Sequence, residues 1–144
     1  MKLQATNTVT DQEFAQFFEN KMSWITDDRM KQYGYFVEQD EKPIAFFCLY
    51  PVDKSSYWLR AFIMKKGAPF SLPLTIIQSA ENLTYNYGAE KLYVQSRSET
   101  VDQLLKQLSY QQIPQGPSTE KQGQWWINDH LNVDKTEGYT QNVN

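Results

Sequence analysis

The side chains able to do chemistry are few and scattered. His130 is the only histidine; it follows Asp129, and no second His or Cys stands near it. Metal centres of the usual kind gather three or four such ligands, so His130 reads as a surface imidazole. Cys48 is the one cysteine, which leaves no internal disulfide, and it lies between Phe47 and Leu49 in an apolar run. That setting favours a buried, inert thiol over a nucleophile. Asp27 and Asp28 precede Arg29, where acid would suit a helix N-terminus. Lys65 and Lys66 close an apolar run and are either a solvated strand end or a pair of phosphate contacts. Trp125-Trp126 puts one indole on each face of a strand, one expected in the core and the other facing a partner or a cleft.

Composition narrows the classes these groups can serve. A chain of 144 residues and 16.9 kDa has the size of one globular domain, and 40% hydrophobic with 15% aromatic residues is too apolar for a disordered chain. A net charge of −3 and a pI near 5.1 disfavour a dedicated binder of nucleic acid or anionic membrane, which would need a positive field. The N-terminus, Met1-Lys2-Leu3-Gln4, has no apolar signal region, and no stretch approaches the ~18 apolar residues of a membrane span. The expectation is a soluble cytoplasmic protein with a single domain over 1–131 and a polar tail over 132–144.

The elements that must position the chemistry follow from pattern. Thr10-Asp11-Gln12-Glu13 is a capping box ahead of Phe14, Phe17, Phe18 and Met22, predicting a helix over about 11–22. Residues 2–6 alternate weakly as a short strand, and 24–31 hold a helical turn or two. The runs 33–38 and 43–50, joined by Gln39-Asp40-Glu41-Lys42, form a hairpin, and 57–64 adds a third strand after the turn at Asp53 to Ser56. The apolar density of this meander predicts burial on both faces at its centre. A helix over about 71–87 ends at Gly88, a residue suited to a left-handed cap. The strand at 91–95 then returns parallel to 57–64. A helix over about 99–109 and strands near 110–113 and 124–128 complete the order.

This order, together with the spacing inside 57–110, resembles the GNAT superfamily of acyl-CoA-dependent N-acyltransferases. The resemblance covers residues 1–131 and implies an α/β (α+β) fold: a mixed, mostly antiparallel sheet flanked by helices. In that family a loop of the form Q/R-x-x-G-x-G/A starts the long helix, and a later helix ends in a motif like L-Y-x-x-L-G-F. Here Phe62, Ile63 and Met64 fall on the strand end, Ala68-Pro69-Phe70-Ser71-Leu72-Pro73 on the loop, and Leu104 to Tyr110 on the later motif. The spacing survives and the letters change. Ala68, Ser71 and Pro73 replace the loop's Gln/Arg and its two small residues. Pro69 and Pro73 carry no amide hydrogen, and Leu105 stands where members often place a Tyr that protonates the leaving thiolate.

The resemblance implies transfer of an acetyl group from acetyl-CoA to a small-molecule or protein amine. Phe62 to Met64 would offer backbone contacts to pantetheine where the parallel strands splay. Gly67, Ala68, Phe70, Ser71 and Leu72 would form the phosphate loop, and Ser98 would cap the later helix or touch the cofactor. Asp27 and Asp28 would fall near the acceptor wall. No Asp or Glu lies in 57–64 or 91–97, so Glu38 and Glu99 are the nearest carboxylates for a general base, and Tyr110 is the nominee for a substitute acid. The alternative is a GNAT-fold binding or regulatory module that has lost CoA. A homodimer pairing through the last strand is a third expectation.

Overall fold

The computed structural model describes residues 1–19, 29–119 and 123–131. Its elements run in the expected order: β1 (Lys2–Ala5), a 3-10 turn (Thr6–Thr8), α1 (Asp11–Phe17), α2 (Arg29–Gln32), β2 (Gly34–Gln39), β3 (Lys42–Asp53), β4 (Ser56–Met64), α3 (Leu72–Asn86), β5 (Lys91–Ser96), α4 (Glu99–Gln107), β6 (Gln111–Ile113) and β7 (Gln124–Asn128). The sheet has the strand order β1-β2-β3-β4-β5-β7-β6. Its β4–β5 pair is parallel, while β1–β2, β2–β3, β5–β7 and β6–β7 are antiparallel. The described residues fall into two compact units, one within 1–49 and 60–72, the other within 50–59 and 73–131.

The first unit is built on phenylalanine. Thr10 Oγ1 accepts from the Glu13 amide at 3.1 Å and starts α1, whose Phe14 and Phe17 are buried together with Phe18. These rings meet Phe46 of β3 at centroid distances of 5.6, 6.4 and 5.3 Å, and Phe36 of β2 joins them. The helix is shorter than its periodicity predicts. Phe18 N–H reaches Ala15 O and Glu19 takes φ +53°, so the chain leaves the helix after Phe17; residues 20–22 lie outside the described residues, as do Asp27 and Asp28. The β2–β3 hairpin turns through Asp40 and Glu41, both with positive φ (53° and 65°), the twist that favours two-residue hairpins. Ala45 to Leu49 are buried without alternation, as expected of a strand covered on both faces. Cys48 is fully buried with its Sγ 3.5 Å from Met30 O.

The second unit holds the β4–α3–β5 crossover and the C-terminal hairpin. Helix α3 buries Ile76, Ile77 and Ala80 and ends at Gly88, whose φ of +84° an L side chain would resist. Helix α4 packs on β5 and β6 and buries Val101 and Leu105. The two tryptophans of β7 depart from expectation. Successive side chains do point to opposite faces of a strand, but both faces are covered here, so Trp125 and Trp126 are both buried. Trp125 lies 5.2 Å from Trp58, and Trp126 Nε1 donates to Asp102 Oδ1 at 2.9 Å. Neither ring is left for a partner. Gly116 lies so close to the Trp125 ring that a β-carbon there would overlap it.

Candidate functional site

The cofactor-binding candidates 62–72 are contiguous and belong to the first unit. The parallel register of β4 with β5 runs from Ser56↔Lys91 to Leu59↔Val94, while β4 itself continues to Met64. β5 meanwhile pairs with β7 through Ser96↔Gln124. Along the free run of β4, Phe62 and Ile63 are half-buried and Met64 is exposed.

Beyond Met64 the chain makes a tied loop. Lys65 N–H donates to Ile44 O at 2.8 Å, Ala68 N–H to Lys65 O at 3.1 Å, and Leu72 N–H to Pro69 O at 3.0 Å. Gly67 has φ +84°, and no atom would stand within 4 Å of a β-carbon added there, so backbone conformation rather than space demands glycine. The amides of Lys66, Gly67 and Phe70 have no acceptor in the protein among the described residues. Leu72 is fully buried, Ser71 is exposed and directly precedes α3, and Phe70 is completely exposed. Pro69 thus lacks a donor but supplies a carbonyl that shapes the turn, and Pro73 sits in the first turn of α3, where its fixed φ suits a helix start.

The two lysines have different settings. Lys65 Nζ lies 5.1 Å from the centroid of the Phe17 ring, an attractive placement of a cation on an aromatic face. It lines an open cavity of about 540 Å3 with Gln12, Gln16 and Glu19 of the α1 segment. The residue pattern does not single out this polar wall: Gln12 and Gln16 lie one turn apart on α1, but Glu19 joins them only after the helix has ended. Lys66 is exposed.

The remaining candidates lie in the second unit. Ser98 Oγ accepts from the Val101 amide at 3.4 Å and its carbonyl accepts from Ser96 Oγ at 2.9 Å, so its hydroxyl caps α4. Glu99 is exposed in the first turn of that helix, where its charge complements the helix dipole. Leu105 is fully buried. Tyr110 is buried and donates its hydroxyl to Glu81 Oε2 at 2.7 Å. Burial first, and then the Glu81 charge, push its pKa well above the usual 10.0. Its proton is held by a carboxylate that the sequence pattern did not single out. Glu38, in the first unit, is half-buried on β2 beside a bulge at Val37/Glu38. His130 is exposed and pairs with Asp129 at 2.9 Å. Among the described residues, no group of His, Cys, Asp or Glu could hold a metal ion, and no helix is long and apolar enough to cross a membrane.

No protein-family model matches the sequence, and neither does any curated protein. Solved structures do match. N-acetylglutamate synthase from Neisseria gonorrhoeae, in complex with coenzyme A and N-acetyl-glutamate, superposes with a TM-score of 0.70 at 8% identity over 91% of this chain and 35% of that one. The present chain therefore spans about a third of that synthase. The Campylobacter jejuni N-acetyltransferase PseH gives 0.62 at 12% identity over 89% of this chain and 96% of its own. An acetyltransferase from Streptococcus agalactiae gives 0.58 at 10% over 84% and 79%. With the mixed sheet, the β4–α3–β5 crossover and the early end of the parallel register, these likenesses establish that the chain has the fold of the GNAT acyl-CoA N-acyltransferases.

Proposed function

We propose that the chain is an N-acetyltransferase that uses acetyl-CoA on an amine acceptor, either a small molecule or a protein. The observation that carries this reading is the β4–α3 loop, where the amides of Lys66, Gly67 and Phe70 have no acceptor among the described residues and where the chain itself carries the cations of Lys65 and Lys66. Unbonded amides in a loop that leads into a helix are suited to an anion. Similar structures contain the ligand class: the N. gonorrhoeae synthase was crystallised with coenzyme A and PseH with acetyl coenzyme A.

When bound, acetyl-CoA supplies an activated acyl group as a thioester. The amides of Gly67 and Phe70 would hold its phosphates, with Ala68, Ser71 and Leu72 shaping the turn that presents them, and the backbone of Phe62, Ile63 and Met64, past the end of the parallel register, would pair with an extended ligand arm. Glu19 is a carboxylate on the α1 cavity wall able to attract an ammonium acceptor. Ser98 is engaged as the cap of α4. With Tyr110 bonded to Glu81 and Glu99 out on α4, rate enhancement would come chiefly from alignment of the reactants, a contribution worth up to about 7–11 kcal/mol.

A second reading, a GNAT-fold binding module without CoA, is favoured by Pro69, Pro73 and the buried Leu105. Calorimetric titration with acetyl-CoA separates the two. Micromolar binding is expected; no binding at millimolar cofactor would sink the transferase and leave the module.

A further inference from the structure

We propose that Phe70 is an aromatic platform for the base of the nucleotide that this loop binds, a proposal that rests on the reading of 65–72 as a CoA loop. Among the exposed large hydrophobic side chains of the described residues, Phe70 alone is completely exposed; Met64, the other one nearby in sequence, is 40% exposed. The backbone that carries the ring is tied on both sides. Pro69 fixes the backbone just before it, and the bond from Leu72 N–H to Pro69 O closes the turn around it. Fully buried Leu72 anchors the far side, and the bond from Ala68 N–H to Lys65 O ties the near side. With the backbone tied on both sides, stacking would have to order only the side chain and not the loop that carries it.

What surrounds the ring defines the ligand. Lys65 and Lys66 lie just before it in sequence, and the amides of Lys66, Gly67 and Phe70 itself are without acceptors among the described residues. Cations and free amides suit phosphate, and an exposed ring suits a flat π-system. A nucleotide that carries phosphates and a purine satisfies both at once, whereas a lipid surface would call for a larger basic field than this acidic chain offers. The loop has given up amide donors at Pro69 and Pro73, and stacking on Phe70 offsets that loss.

The test is calorimetric titration of the full chain and of Phe70→Ala and Phe70→Trp with acetyl-CoA, adenosine 3′,5′-bisphosphate and acetyl-pantetheine. Base stacking on an aromatic side chain predicts that Phe70→Ala binds acetyl-CoA and the bisphosphate about tenfold more weakly or worse. Phe70→Trp is expected to retain both, and acetyl-pantetheine affinity is expected to be the same in all three proteins. Phe70 is exposed, so the melting temperature of each variant should match the parent. If parent and Phe70→Ala bind acetyl-CoA equally, the platform is wrong and the transferase reading stands; a change in oligomeric state with no change in affinity assigns Phe70 to a second copy and also overturns it. If the parent binds no acetyl-CoA, both readings fall together.

Discussion

The hydroxyl of Tyr110 donates to Oε2 of Glu81 across 2.7 Å, joining the residue just before β6 to the middle of α3. The amide nitrogen of Asn128 on β7 lies 3.4 Å from the same oxygen, so three elements of the second unit share one carboxylate. A tyrosine aligned with a motif of proton-transfer chemistry is here a buried hydrogen-bond donor. Its raised pKa has the cost of a buried phenolate next to a carboxylate as its cause.

Stability should therefore fall in alkali through this residue. The folded-state pKa of Tyr110 is raised, so its contribution is complete below about pH 10 and is lost as the pH rises from there toward the folded value. Tyr110→Phe removes the donor to Glu81 and should cost about 1–3 kcal/mol at neutral pH. Thermal melts between pH 8 and 11 should show this gap narrowing above pH 10. A gap constant across the range would mean that Tyr110 does not titrate with unfolding.

The bond from Trp126 Nε1 to Asp102 Oδ1 at 2.9 Å joins β7 to α4. Asp102→Ala would leave a buried indole N–H without an acceptor and should destabilise the chain by about 1–3 kcal/mol. Asp102→Asn keeps a carbonyl and should cost less. Denaturant titration followed by tryptophan fluorescence reads both, and equal midpoints for parent and Asp102→Ala would show that the bond adds nothing.

Ser109 follows α4 with φ +66°, the position at which glycine commonly ends a helix. An L residue pays about 1 kcal/mol or more in that region. Ser109→Gly should recover about 1 kcal/mol and raise the melting temperature by roughly 2–5 °C. Gly88→Ala, at φ +84° with open space around it, should move it down by a similar amount. Calorimetric melts of the two variants should shift in opposite directions.

Pro73→Ala returns an amide hydrogen to the first turn of α3. If phosphate lies at the start of this helix, a restored donor to a charged acceptor is expected to tighten acetyl-CoA binding by about tenfold. Isothermal titration measures it. An unchanged dissociation constant would place the phosphates away from this turn.

Much of this molecule was legible in its residues. The Thr10 cap, the Asp40-Glu41 turn, the Gly88 stop and the Ser98 cap all act within a few residues of themselves, so local pattern fixes them. The order of strands and helices, and with it the GNAT likeness, follows from those signals. The candidate loop was legible in its letters too, including the donors missing at Pro69 and Pro73. Long-range packing decided the rest. Glu81 meets Tyr110 and Asn128, and Asp102 meets Trp126, only because distant segments fold onto one another, and no spacing rule encodes such pairs. Trp125 and Trp126 are both buried because both faces of β7 are covered, which alternation along one strand cannot reveal. Tertiary structure also set Lys65 over Phe17 and left the amides of Lys66, Gly67 and Phe70 without acceptors among the described residues. A chain can state which groups it carries; which of them are satisfied depends on the neighbours that folding brings.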